Sequence, residues 1–229
     1  MGIGGVVQGA LGFGFALVAA PVTALVYPAA LPVTLLLLSV PMNGFVGWRE
    51  RRWIDPRGLS GVLAGRVVGA IGGVWILLLV PPRLLSAFFG ILVLLAVILS
   101  MAGPTVDAHG ASPGWSFAAG VASGVMATGA VGGPPLALLY RNRPGPELRS
   151  TLAMSFLPGV MISLVALGLA GQVMAWHVIL ALRLLPGLAL GLLASRPLAR
   201  LADRAGLRRA VLIFAFVSSL AAIAQGITG

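Results

Sequence analysis

Two arginines stand where a charge is costly. Arg66 and Arg183 fall inside long apolar stretches, while the five acids, Glu50, Asp55, Asp107, Glu147 and Asp203, all read as loop residues. A charge near the centre of a bilayer costs at least about 2.5–3.5 kcal/mol on insertion scales, so a retained one faces a cavity or a partner. Two guanidinium groups with no acid beside them suit an anion, because the planar fork of N–H donors matches the paired oxygens of a small oxyanion. The competing uses are snorkelling to the interface and bonding to carbonyls freed by a broken helix. Arg66 lies eight residues into its stretch (66 − 58), about 12 Å along a helix, which makes snorkelling strained.

Glycine-rich segments supply the rest of the expected site. Gly12, Gly14 and Pro21, and later Gly129, Gly132, Gly133, Pro134 and Pro135, would each interrupt a continuous helix. A helix that starts inside the membrane presents unpaired N–H groups and a positive dipole end to a bound anion. Gly14 and Gly133 would let that anion approach the backbone closely. Gln8, Asn43, Ser123, Thr128, Thr151 and Ser155 are the polar side chains near enough in sequence to add a hydrogen bond, although hydroxyls in membrane helices commonly bond their own backbone. His109 and His177 lack the spacing of a metal site.

The elements that carry these residues are membrane helices. Of 229 residues, 59% are hydrophobic and only 9% charged, against about 25% charged in an ordinary soluble domain. Six apolar spans are predicted: Ala29 to Trp48, Gly58 to Val80, Leu84 to Gly103, Ser150 to Ala170, Val173 to Ala194 and Ala210 to Thr228. The net charge of +10 does not argue for nucleic acid, since twelve of the fifteen arginines sit in three short connections between spans, at 48–57, 141–149 and 195–209. Trp48, Trp53, Trp115 and Trp176 fall at span ends, as an interfacial belt would. With no cysteine there is no disulfide or thiolate site, and no basic region precedes the first apolar run, so a cleaved signal peptide is not expected.

The chain also matches itself. GGVVQGALGFGFALVAAP (4–21) resembles AAGVASGVMATGAVGGPP (118–135), and the pairs Pro41/Pro158 and Arg66/Arg183 share an offset of 117 (158 − 41 and 183 − 66). We therefore read an all-α polytopic membrane protein with two homologous halves, residues 1–103 and 114–229, joined by a loop at 104–113. Each half is a glycine-rich broken or re-entrant segment, meeting its counterpart near mid-membrane, followed by three transmembrane helices. If each glycine-rich segment enters and returns as a hairpin, all three arginine-rich connections lie on one side and only Arg83 on the other; the halves are then inverted repeats with both termini outside.

In these features the chain resembles the TauE/SafE sulfite exporter family of membrane transporters for sulfur-containing compounds. The likeness spans nearly the whole sequence and rests on the duplicated glycine-rich segment ending in proline, on RRWIDPR (51–57), and on PPRLLSAFFGILVLLAVIL (81–99). The family pattern usually has an adjacent threonine-serine pair after the second loop, whereas Thr151 and Ser155 are separated here. The resemblance implies a secondary transporter of the cell membrane that exports sulfite, sulfoacetate or a related anion; an anion channel, or an importer of thiosulfate or another small anion, is the alternative. No cofactor is implied, and no intramembrane acid, histidine pair or nucleophile-base set points to an enzyme. Neither a coupling ion, proton or sodium, nor an oligomeric state can be read.

Overall fold

The computed structural model describes residues 1–54, 59–102, 113–128, 135–137, 145–201 and 204–228. It is helical, with no strand among the described residues. The helices of ten residues or more are α1 (Gly2–Leu11), α2 (Phe15–Val26), α3 (Val33–Arg49), α4 (Leu59–Leu79), α5 (Leu85–Ala102), α6 (Pro113–Ala127), α7 (Gly145–Leu169), α8 (Ala175–Leu201) and α9 (Arg204–Thr228). Five of them, α4, α5, α7, α8 and α9, are long and apolar enough to cross a membrane. The span expected from Ala29 starts only at Val33, because Pro28 opens a short 3-10 turn and Pro32, which lacks an N–H, caps the helix that follows. At 17 residues α3 is about 25 Å long, short of a hydrocarbon core of about 30 Å.

The first glycine-rich segment is broken, and the chain reverses at the break. Gly12 (φ 87°) and Gly14 (φ 111°) take the left-handed conformation that a side chain resists, and Gly12 closes α1 by donating its N–H to the Gln8 carbonyl at 2.8 Å. Eleven positions along a straight helix span about 16 Å, yet a Cβ on Gly4 would stand 2.9 Å from the Phe15 ring. Pro21 does not interrupt anything: it lies inside α2. The turn sits beside Arg49, which donates to the Gly9 carbonyl at 3.3 Å, and against the Arg149 side chain, so the break is at the arginine-rich end of the bundle and not at mid-depth. The reason is that α1 docks with Gly2 level with Gly187, half-way along α8, and runs from there toward Ser195. In the second half α6 ends with Thr128 against Gly73 of α4; Gly129, Gly132, Gly133 and Pro134 lie outside the described residues, and 135–137 are again helical.

Small residues set the packing. Gly65, Gly69 and Gly73 of α4 face Phe117, Val121 and Val125 of α6 so closely that a Cβ on Gly65 would lie 2.1 Å from the Phe117 carbonyl oxygen. This is the close backbone approach through small residues on which membrane helices rely when no hydrophobic gain separates helix from lipid. The α4–α6 pair runs parallel, as does α1–α8, whereas α3–α7 and α5–α9 run antiparallel: Gly47 meets Ala153 and Met154, and Gly90 meets Ile223. Arg49, Arg149 and Arg208 consequently share one end of the bundle, and Arg83 lies at the other.

Candidate anion-binding site

Arg66 is the largest fully buried side chain in the core, 1% exposed, held between α4, α6 and α7. It comes from a helix whose glycine face brings α6 into contact, and Ser123 at the centre of α6 accepts a hydrogen bond from Nη1. On the other side the guanidinium lies over the Phe156 ring, 4.8 Å from its centroid, a cation–π contact that strengthens in a desolvated site. The remaining donors, Nε and Nη2, find no acceptor among the described residues. They face Gly159, next to Pro158 in α7, where a Cβ would sit 2.7 Å from Nη2 and 2.9 Å from Nε. The guanidinium therefore packs directly against the Gly159 backbone, an approach that only a residue without a side chain permits, and its two remaining donors are left for an oxygen acceptor from elsewhere.

Two further buried polar atoms on the neighbouring helices also lack partners among the described residues, Oδ1 of Asn43 and Oγ of Ser163. Ser163 is one helical turn beyond Gly159. The antiparallel register that sets Gly47 beside Ala153 and Met154 brings Asn43, one turn back on α3, level with the Pro158–Gly159 step. Asn43 donates its amide to the Ser39 carbonyl at 2.9 Å, leaving the oxygen. A guanidinium fork, with a hydroxyl and an amide oxygen on adjoining helices, offers donor and acceptor chemistry of the kind a small oxyanion uses. Among the described residues no carboxylate contacts Arg66.

The other expected site residues are placed differently. Arg183 is exposed on α8, which packs on α1 and α3, and it does not join Arg66. Gln8 is buried, but it serves the helix break: Nε2 donates to the Gly12 carbonyl at 3.1 Å and Oε1 accepts from the Phe15 N–H at 3.1 Å. Gly14 caps α2 and meets Val7, so its freedom is used for the turn. Thr128 and Ser155 donate to carbonyls of their own helices, Val125 at 2.6 Å and Thr151 at 2.7 Å. Gly133 and His109 lie outside the described residues. His177 accepts from the Met174 N–H at Nδ1 and faces the Ala29 carbonyl with Nε2, partners that fix a single tautomer and tie α8 to the start of α3.

The sequence reading missed Phe156, Gly159 and Ser163; the signal available was Pro158, the repeat-mate of Pro41, which marks an irregular step in α7. Glu50 stands in the turn after α3, as expected, but its carboxylate is partly buried: it accepts from Arg49 at 3.0 Å and from Arg149 Nε at 2.9 Å, binding α3 to α7 at the α1–α2 turn. Glu147 lies in the first turn of α7, where a negative charge complements the dipole.

Residues 1–222 match the Sulfite exporter TauE/SafE family. The chain belongs to that family. It is also 30% identical over 200 residues to a probable inner membrane transporter protein TsaS of Comamonas testosteroni, an alignment covering 81% of this chain and 79% of that protein. No solved structure matches it. A TauE/SafE member with five helices able to span a bilayer is a multi-pass transporter of the cell membrane.

Proposed function

We propose that this transporter exports a small sulfur-containing oxyanion or organosulfonate, such as sulfite or sulfoacetate, by secondary transport, and that the anion binds at the Arg66 fork. The observation that carries the reading is the buried guanidinium with two donors, Nε and Nη2, that have no acceptor among the described residues. An uncompensated buried charge is expensive, and an anion is the partner that offsets it. The described residues of the site bring one formal positive charge and no acid, which favours a monoanion or a weakly charged oxyanion over a more highly charged one.

The same reading takes residues 1–103 and 114–229 as inverted repeats. Supporting it are the exchange of elements between halves, α1 on α8 and α6 on α4, and the pairing of like with like in α3–α7 and α5–α9. The location of Arg49, Arg149 and Arg208 at one end and Arg83 at the other agrees with a single arginine-rich side. The relative's name speaks for transport and leaves its substrate open.

The test is direct binding of sulfite, thiosulfate, sulfoacetate and sulfate to purified protein, with Arg66→Lys beside the natural chain. We expect saturable binding of at least one sulfur oxyanion and only partial function from lysine, a point charge without the planar fork. Absence of binding by all four would overturn the substrate class. Counterflow in proteoliposomes separates the transporter from a channel, which would show fast flux and no counterflow.

A further inference from the structure

The groove at the arginine-rich end of α5 and α9 is independent of the Arg66 site. At their other end these antiparallel helices touch through backbone: a Cβ on Gly226 would lie 2.4 Å from the Ala87 nitrogen, and one on Gly90 2.8 Å from the Ser219 carbonyl. Toward the arginine-rich end the helices leave between them a groove of about 490 Å³, within the range of small-ligand sites of about 300–1,000 Å³. Its mouth carries Arg208 and Arg209; its walls are Met101, Ile213 and Phe216, all apolar and all exposed on the outer face. Arg208 is held in place, donating from Nη2 to the Ser100 carbonyl at 2.5 Å. No acidic side chain is among the described lining residues.

We propose that this groove binds an anionic phospholipid, with the phosphate on Arg208 and Arg209 and an acyl chain along Met101, Ile213 and Phe216. The geometry selects a lipid over a free phosphate. The arginines stand at the ends of the candidate spans 82–101 and 206–228, at headgroup level, and the apolar walls continue from there along the face that meets hydrocarbon. A water-soluble anion could use the arginines but would leave that apolar surface unfilled. Basic pockets between membrane helices that take anionic headgroups follow the same logic.

Full-length protein in a neutral detergent tests it, by native mass spectrometry and thermal unfolding with phosphatidylglycerol, with phosphatidylcholine of the same acyl chains, and with inorganic phosphate. Phosphatidylglycerol is expected to be retained more strongly and to raise Tm, with each arginine contributing roughly fivefold to retention. Arg208→Gln combined with Arg209→Gln should bring phosphatidylglycerol down to the level of phosphatidylcholine, while Arg83→Gln at the opposite end changes nothing. Arg209 is exposed, so Arg209→Gln alone carries the test if the double variant does not fold. Equal retention of the two lipids by the natural protein, retention unaffected by Arg209→Gln, or the same Tm shift from phosphate alone would overturn the proposal.

Discussion

The α4–α6 and α1–α8 interfaces are built from matched sequence and do different things. Aligning GVVQG (5–9) with GVASG (120–124) pairs Gln8 with Ser123 and Gly9 with Gly124, just as Arg183 pairs with Arg66. At the first interface Gly124 meets residues 66–70 of α4, and Arg66 reaches Ser123. The equivalent contact for Gly9 would be with residues 183–187, at the offset of 117. Gly9 instead meets Leu192 and Ser195, eight or nine residues further along α8, a slip of about 12 Å. Arg183 is left exposed and Gln8 turns to the helix break. Duplication supplies two arginines at matched positions; the register in which helices dock decides which of them has a site. If the halves exchange registers during transport, as rocking of inverted repeats allows, the asymmetry is a property of one state.

The comparison breaks most easily at Arg66. Arg66→Gln removes a charge-assisted contact worth typically about 1.5–3 kcal/mol, so affinity for the transported anion should fall roughly tenfold or more by calorimetry. The anion-free protein should unfold at no lower temperature, because an uncompensated buried charge has been removed. Gly159→Ala is the sharper variant: it keeps the charge and puts a methyl group at the fork. Its affinity should drop toward that of Arg66→Gln, and an affinity within twofold of the natural protein would remove the fork from the site.

Stability effects come next. Gln8→Ala strands the Phe15 N–H and the Gly12 carbonyl, and unsatisfied buried groups cost about 1–3 kcal/mol each. Tm should fall clearly while anion affinity in the folded fraction holds. Ser123→Ala, at the matched position, should do the reverse, weakening binding a few-fold with a smaller effect on Tm. If both variants changed only stability, Ser123 would be a packing residue like its counterpart. Glu50→Gln leaves Arg49 and Arg149 without their shared carboxylate and should loosen the α3–α7 end, read as faster hydrogen exchange around the α1–α2 turn.

Much of this was legible in the sequence. Apolar spans, arginine-rich connections and the duplicated segment gave an all-helical membrane protein and singled out Arg66, because hydropathy and charge cost act on local windows. The break at Gly12–Gly14 was legible too, since left-handed backbone selects glycine. What could not be read is what depends on docking. That Gly159 lies against the fork and that Glu50 is clasped by two arginines are contacts between segments up to 99 residues apart. Helix register, which separates Arg183 from Arg66 in role, leaves no trace in a window of twenty residues.

Arg183→Gln is therefore the smallest effect we expect and the one that tests the comparison itself. Its side chain is exposed on α8, and Gln8, the residue matched to the partner of Arg66, is occupied by Gly12 and Phe15. Affinity should change less than about twofold, because Arg183 shares none of the contacts of Arg66 with Ser123, Phe156 and Gly159, and sites without shared partners act independently. Transport in proteoliposomes should follow affinity. A loss as deep as that of Arg66→Gln would sink the one-fork site, and it would mean that α8 slips by two turns in another state so that Arg183 takes over at Gln8. Cysteines placed at Gly2 and Gly187, where an added Cβ would meet the facing backbone at 3.2 and 4.0 Å, distinguish the two cases. In the observed register they cross-link, and if α8 exchanges registers, that cross-link should hold binding but stop counterflow.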